Sequence, residues 1–398
     1  MLRLLRDLPL VRDARVRVRG WLQEREALAG QRRYDAEAAR RGVTPLSHEA
    51  LRAALAVRLK DRRAAREPKG MGELHAFVTF GLTNWEAALP RSLAGFGKVS
   101  VYEWRSHGYR DDLDPNWIDK RDAMNRDMLA AFDAASAERP VDVVVGYLSG
   151  TNTSPETLEA MAGRGAVILN FCLDDKVRFP GDLLGGRYVS VAALAAAVDL
   201  NLTSAPGSVV KYMLHGGLAM FWPEAALPEV HRPYDVPFEF DVSFVGVCYG
   251  HRPRYVAALR AAGIDVAAFG RGWPRGPLSD EEMVKLYSRS RINLGFGGIQ
   301  SSERLTCLKG RDFEVPMSGG LYLTQHNPEL SLCYELGREI VTFRDVEECV
   351  AHVRRLLADP EQAAAIRAAG RARCLRDHTY ECRWREAFEM VGVLHRPF

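Results

Sequence analysis

The sequence predicts an α/β protein built on two parallel sheets covered by helices, and three observations carry that prediction. From residue 75 to about 343, short β-branched or aromatic runs alternate with amphipathic stretches of helical length. Such alternation calls for parallel strands joined by helical crossovers, because a tight turn cannot link two neighbouring parallel strands. The alternation stops across Phe221 to Pro237, where four prolines fall in 17 residues, and then restarts. Two Rossmann-like sheets with a hinge between them follow. At 398 residues, 47% of them hydrophobic, the chain is also long enough for two or three domains of ordinary size.

Residues 1–70 lack the glycine-punctuated strands seen later. Thr44-Pro45 followed by Leu51, Leu55 and Leu59 reads as a helix start with an apolar stripe at i+4 spacing. Charge concentrates here, with 18 Lys and Arg against 9 Asp and Glu, so this segment carries +9 and the remainder −6. A basic helical extension is either a solvated face packed on the main body or a patch for a peripheral membrane surface, a polyanion or an acidic partner. Aromatic residues do not interleave with the charges as base stacking requires, which argues against nucleic acid.

The first sheet draws on His75–Phe80, Val99–Tyr102, Val141–Val145 and Ala166–Phe171. Phe240–Gly246, Ile264–Phe269, Arg291–Phe296, Gly320–Thr324 and Glu339–Phe343 supply the second. The domains read as a basic helical extension over 1–70, an amino-terminal domain over 71–235, a carboxy-terminal domain over 236–378, and a last helical segment over 379–398 that packs back on the amino-terminal domain.

Composition excludes several classes. The apolar fraction is too high for a disordered chain, and 34 Gly and 20 Pro are scattered without period. No apolar stretch approaches the roughly 20 residues of a spanning helix. Arg or Asp interrupts every apolar run of the amino terminus, which leaves no secretory h-region, so a cytoplasmic protein is expected. Seven cysteines (Cys172, Cys248, Cys307, Cys333, Cys349, Cys374 and Cys382) form an odd set without a C-x-x-C pair, so neither a disulfide framework nor a zinc site is expected.

Two places carry patterns that suit chemistry. The run Asp241–Val247 leads through Gly246 and Gly250 to Arg252-Pro253-Arg254 and an Ala-rich helix. Glycine allows a tight turn, Pro253 suits a first helical turn, and free N–H groups with Arg252 or Arg254 make an anion site. The spacing is neither G-x-G-x-x-G nor a Walker loop, and an ordinary β–α turn also accounts for it. The second place is Leu308-Lys-Gly-Arg-Asp-Phe-Glu314, ahead of Gly319-Gly320. On a helix, Lys309 and Arg311 could neutralise a diphosphate while Glu314 accepts both hydroxyls of a ribose. A surface ion pair at i,i+3 spacing is the plain alternative.

Phe-Val-Gly246, Gly270-Arg-Gly-Trp273, Ser290–Leu294, Leu308–Glu314, Gly319–Thr324, Glu339–Phe343 and His378–Arg383 occur in the order seen in CgeB/YkvP-like glycosyltransferases, which this sequence resembles. The resemblance is close over about 236–390 and loose over 71–235, and residues 1–70 carry no part of it. It implies a GT-B fold, in which two Rossmann-like domains face a cleft and the carboxy-terminal one binds a nucleotide sugar of UDP, GDP or TDP type. Gly246, Arg252, Gly270, Trp273, Lys309, Arg311, Glu314, Gly319 and Gly320 become the donor-binding set. In related transferases with an E-x7-E motif the second glutamate holds the ribose, and Glu314 stands in its place; Thr306 replaces the first. Arg252 and Lys309 correspond to the clamp on the diphosphate, with Arg311 as a competitor. Acceptor-side bases would come from Glu86, in the loop Gly81–Glu86, or from Asp174 or Asp175. His378 is read as a boundary contact in preference to a catalyst, and His215, within Leu214–Leu218, is open to either reading. The implied reaction moves a hexosyl-type sugar to a hydroxyl of a glycan, protein or small molecule without a metal or other cofactor. A catalytically silent nucleotide-binding or coat-associated protein, or a nucleotide-sugar epimerase of the same shape, are the alternatives.

Overall fold

The computed structural model describes residues 9–62, 67–82, 85–111, 114, 116–184, 187–299 and 301–396. The first eight residues of the amino terminus, and Thr83 and Asn84 in the loop before Glu86, lie outside the described residues. The chain divides into two compact units, one of Gly30–Pro223 with Tyr380–Phe398 and the other of Met1–Ala29 with Glu224–Thr379. The division thus falls at 223/224, inside the proline-rich stretch, and the basic segment does not form a body of its own.

Its described residues form two helices, α1 (Pro9–Arg41) and α2 (His48–Asp61). Ser47 caps α2 by accepting from the Ala50 N–H at 3.2 Å, and Leu51, Leu55 and Leu59 are buried along one face. In the first unit β1 (Leu74–Phe80), α3 (Ala88–Leu93), β2 (Gly97–Glu103), α4 (Trp117–Glu138), β3 (Val143–Gly146), α5 (Pro155–Gly163) and β4 (Val167–Cys172) follow in turn. A four-residue helix α6 (Asp175–Arg178), strand β5 (Leu200–Thr203), helix α7 (Val209–Leu214) and strand β6 (Ala219–Phe221) complete its main run. The sheet is wholly parallel, in the order β2-β1-β3-β4-β5-β6. Every residue of β1, β3 and β5 is buried, as strands covered on both faces must be. Asp199, with no exposure, accepts from the Ile168 N–H at 2.8 Å and from Arg62 Nη1 at 3.1 Å, tying α2 to the sheet.

The second unit contains β7 (Phe240–Val245), α8 (Arg252–Ala261), β8 (Val266–Phe269), α9 (Asp280–Arg289), β9 (Ser290–Gly295), α10 (Arg311–Met317), β10 (Tyr322–Gln325), β11 (Val341–Phe343), α11 (Val346–Ala358) and α12 (Pro360–Asp377). Its five strands are again parallel, in the order β8-β7-β9-β10-β11. From β7 the chain first goes out to one side, to β8, and then returns to the other, to β9. Their carboxyl ends therefore flank the switch point at which open α/β sheets bind ligands.

The last helix, α13 (Tyr380–Met390), belongs to the first unit. Trp384 is fully buried there, 4.5 Å from Trp222 between ring centroids, and donates Nε1–H to Ser92 Oγ at 2.8 Å. Phe388 meets Phe96 edge to face at 5.1 Å. The seven cysteines are all free thiols.

Candidate functional site

The site is built at the carboxyl ends of β7 and β9, in the second unit. Beyond β7 the Gly246 N–H donates to Phe269 O at 2.9 Å, and a side chain at Gly270 would place its Cβ 2.3 Å from Gly246 O. Trp273 donates its indole N–H to that same carbonyl at 2.9 Å and packs on Phe244. Gly270 and Trp273, expected in the donor-binding set, are therefore occupied in fixing the Gly246 turn; their contribution is to its shape.

That turn delivers Arg252, the first residue of α8, with only 4% of its surface exposed. Nη1 donates to Val247 O at 3.0 Å and Nη2 to the Tyr249 hydroxyl at 3.2 Å, while the guanidinium lies 4.2 Å above the Tyr249 ring. Among the described residues no carboxylate comes within ion-pair distance of it. Burial depresses its pKa and the nearby Arg311 guanidinium depresses it further. A buried cation held without a counter-charge is costly unless an anion joins it. His251, just ahead, is 5% exposed between Tyr255 and Phe296, and burial first, then Arg252, pull its pKa down to about 4, so the ring is neutral.

Beyond β9 the chain passes Gly298, which bridges to Thr306, and reaches α10. Thr306 is buried and its hydroxyl bonds Asn327 Oδ1 at 3.2 Å, so position 306 is spent on holding the loop. Lys309 lies ahead of α10 and not on it, contrary to the sequence reading, because Asp312 accepts the Lys309 N–H at 2.8 Å and turns the chain before the helix starts. The Tyr322 hydroxyl donates to the other oxygen of Asp312 at 2.8 Å, and burial pushes this carboxyl up to about 6. Arg311 opens the helix and Glu314 follows one turn later. The helix ends on Gly319, whose φ of 74° is the left-handed conformation glycine adopts freely. At Gly320 a Cβ would sit 2.7 Å from Asn293 Nδ2 and 2.8 Å from Val315 Cγ1. The pair Gly319-Gly320 terminates α10 and lets it pack on β9.

The proline-rich stretch contributes two groups that sequence reasoning missed. His231 Nδ1 accepts the Leu227 N–H at 3.1 Å, which leaves the ring proton on Nε2, 4.0 Å from Glu314 Oε1. Glu224 is 8% exposed and its carboxyl converges with that of Glu314 on Gly310: a Cβ there would lie 2.9 Å from Glu314 Oε1 and 3.4 Å from Glu224 Oε1. Burial first, and Glu314 next, push Glu224 up to about 8. Neither residue carries a local signal, since their partners stand some 80 to 90 positions away in sequence.

In the first unit, Asp174 is exposed at the end of β4 while Asp175 is wholly buried. Asp175 accepts from the Thr203 hydroxyl at 2.9 Å and the Tyr212 hydroxyl at 2.8 Å, and burial pushes it up to about 6. With both oxygens enclosed it is a structural acid, which removes it from the candidate bases. Glu86, on the short turn Trp85–Ala87, is 3% exposed. His215 contacts the Tyr34 hydroxyl at 3.4 Å, and His378 Nε2 lies 2.8 Å from Cys333 O.

No curated protein resembles the sequence closely enough to count as a relative. Among solved structures the fold is similar to sucrose-phosphate synthase from Thermosynechococcus elongatus, with a TM-score of 0.54 and 12% identity over 81% of this chain and 97% of that one. It is similar also to a glycosyltransferase from Rickettsia africae, with a TM-score of 0.53 and 10% identity over 80% and 98% of the two chains. Anabaena HepE, solved with UDP and glucose, gives a TM-score of 0.52 and 10% identity over 81% and 100%. Residues 252–389, which hold Arg252, Lys309, Arg311 and Glu314, match the family described as glycosyl transferase-like, and the fold of the chain is of the GT-B type.

Proposed function

We propose that this chain is a CgeB-like glycosyltransferase that takes a hexosyl-type sugar from a nucleoside-diphosphate sugar and delivers it to a hydroxyl acceptor. The observation that carries the reading is Arg252, buried at the switch point with no carboxylate within ion-pair distance among the described residues, while the Arg311 guanidinium adds positive charge beside it. A diphosphate supplies the missing negative charge, and as the sugar leaves, these cations with Lys309 stabilise the charge that grows on it without calling on a metal ion. Glu314 accepts the ribose hydroxyls. On the acceptor side Asp174, exposed at a strand's carboxyl end, is the first choice of base and Glu86 the second.

Calorimetric titration with UDP, GDP and TDP tests this. A carboxylate facing two hydroxyls offers only acceptors, and an amide mispairs one of them. With hydrogen bonds to a charged group contributing about 1.5 to 3 kcal/mol, Glu314→Gln should weaken binding of the preferred nucleotide by roughly tenfold or more. Unchanged affinity at an unchanged melting temperature would reject the role. The outward side of α1, with Val18, Trp21 and Leu22 exposed and Arg25 stacked 4.6 Å over Trp21, suits an anionic membrane surface holding the acceptor, which sedimentation with anionic vesicles would test.

A further inference from the structure

Arg252 is closed to an anion in the arrangement described above. Its surface is 4% exposed, and Phe244, Gly246, Val247 and Tyr249 enclose its guanidinium. The Phe244 ring lies 5.6 Å from the guanidinium carbon, the Val247 carbonyl accepts from Nη1 at 3.0 Å, and a Cβ on Gly246 would stand 3.3 Å from Nη1. Tyr249 brings its ring to 4.2 Å and its hydroxyl to 3.2 Å from Nη2. We propose that Tyr249 is a specificity-determining latch of the donor site: its hydroxyl holds the place at Arg252 that an oxygen of the donor's diphosphate takes, and the donor binds by turning the Tyr249 side chain outward. This rests on the reading of Arg252 as a diphosphate-binding residue.

Packing decides which of these walls moves. Phe244 is 1% exposed and meets Trp273 and Phe296 edge to face, so it belongs to the core of the second unit. The Gly246 turn is pinned by its bond to Phe269 O and by the Trp273 indole, and the Val247 oxygen is a backbone atom on that same turn. Tyr249 alone among them is exposed, at 37%, with solvent for its ring to rotate into. Exposed side chains change rotamer far faster than a loop rearranges. The backbone need not follow, because the Cys248 N–H donates to Arg271 O at 2.9 Å and anchors the residue ahead of the tyrosine.

Chemistry gives the exchange its direction. The phenol oxygen is a neutral acceptor for Nη2, whereas a phosphate oxygen is a charged one, and hydrogen bonds between cation and anion are the stronger kind. A neutral ligand gains nothing by displacing the tyrosine, since it would replace one uncharged acceptor by another and lose the stacking of ring on guanidinium. Tyr249 thereby reserves Arg252 for a polyanion. Turning it out gives up one hydrogen bond and one stacking contact, so the wild-type chain binds a nucleoside diphosphate less tightly than a chain without the latch.

The test is calorimetric titration of the full chain with UDP, GDP and TDP, following whichever binds most tightly, for wild type, Tyr249→Phe, Tyr249→Ala, Arg252→Met and the last two combined. Tyr249→Phe loses only the hydroxyl and should tighten binding about threefold, while Tyr249→Ala loses the ring as well and should tighten it about tenfold. Combined with Arg252→Met, the gain from Tyr249→Ala should vanish, a coupling that a merely structural tyrosine would not show. Tyr249→Phe keeps the packing and decides by itself if Tyr249→Ala does not fold. Unchanged or weaker binding in the folded Tyr249 variants, or a gain that persists without Arg252, would overturn the proposal. If Arg252→Met leaves affinity untouched, the diphosphate reading of Arg252 fails and takes the latch with it. Loss of affinity in Arg252→Met with no gain from either Tyr249 variant removes the latch alone.

Discussion

Two glycines on α1 should respond in opposite directions to the same substitution. A methyl group on Gly20 would sit 2.4 Å from Ser301 O, 2.9 Å from Ser301 C and 3.1 Å from Ser302 Cα. All three are backbone atoms, and the loop is held in place because the Ser301 N–H donates to Gln23 Oε1 at 3.1 Å, one turn further along the same helix. Restoring an ordinary contact requires helix and loop to part by roughly an ångström. Overpacking of that kind costs about 1 to 3 kcal/mol, against which alanine returns about 1 kcal/mol of helix propensity. Gly20→Ala should therefore be neutral to destabilising by about 2 kcal/mol. At Gly30 the nearest atom is Arg33 Nη2 at 3.9 Å. Gly30→Ala should then gain the full propensity term of about 1 kcal/mol. Because two units need not unfold together, the assay is hydrogen exchange resolved by segment alongside thermal melting. Gly20→Ala should speed exchange in residues 14–29 and 301–308, and Gly30→Ala should slow it in α1. If Gly20→Ala raises the melting temperature as Gly30→Ala does and leaves exchange at Ser301 unchanged, the close approach of helix and loop is not present in solution.

Four further outcomes follow from the packing and charges. Trp384→Ala empties the space against Trp222 and removes the indole donor from Ser92, and should destabilise the first unit by about 3 to 5 kcal/mol in urea unfolding. Arg252→Met should weaken nucleotide binding tenfold or more without lowering the melting temperature of the ligand-free protein, since it removes a buried cation that lacks a counter-ion; a thermal-shift series with and without UDP reads both effects. Asp175 titrates near 6 when folded and near 3.8 otherwise, so the native state holds a proton the unfolded chain has lost and stability should fall from pH 4 to 6. Lys211, buried and bonded to the carbonyls of Asp175 and Lys176, is pulled down to about 8 from 10.5 by burial, so stability should rise from pH 8 to 10.5, and Lys211→Met should flatten that upper limb of the melting curve.

Nine strands were legible in the sequence because each is an apolar or β-branched run that a doubly covered sheet demands. Two were not. In β5 the polar residues are the reason: Asn201 is buried and bonded to Ala195 O and Leu218 O, and Thr203 to Asp175, so hydrogen bonding substitutes for the apolar pattern. In β6 only three residues pair, too few for any period to show. The candidate site was legible where its residues are contiguous, as with Arg311 and Glu314 on α10. It was opaque where a residue's task is set by a distant partner. Gly320 answers to Asn293, Trp273 to Gly246, and His231 to Glu314, and in each case the contact that defines the role is made by the fold and not by spacing.

The chain passes from one unit to the other after Ala29, after Pro223 and again after Thr379, so neither unit is one unbroken stretch. This matters for a polypeptide emerging from the ribosome. All six strands of the first sheet have been synthesised by Phe221, yet Trp384 and Phe388, both without exposed surface in the finished protein, come some 160 residues later. At typical synthesis speeds the aromatic bed of Phe96, Phe171 and Trp222 stays uncovered for on the order of 10 to 30 s. For that interval the nascent chain presents a sticky surface whose natural cover has not yet been made, and a chaperone that binds aromatic patches would find its substrate there.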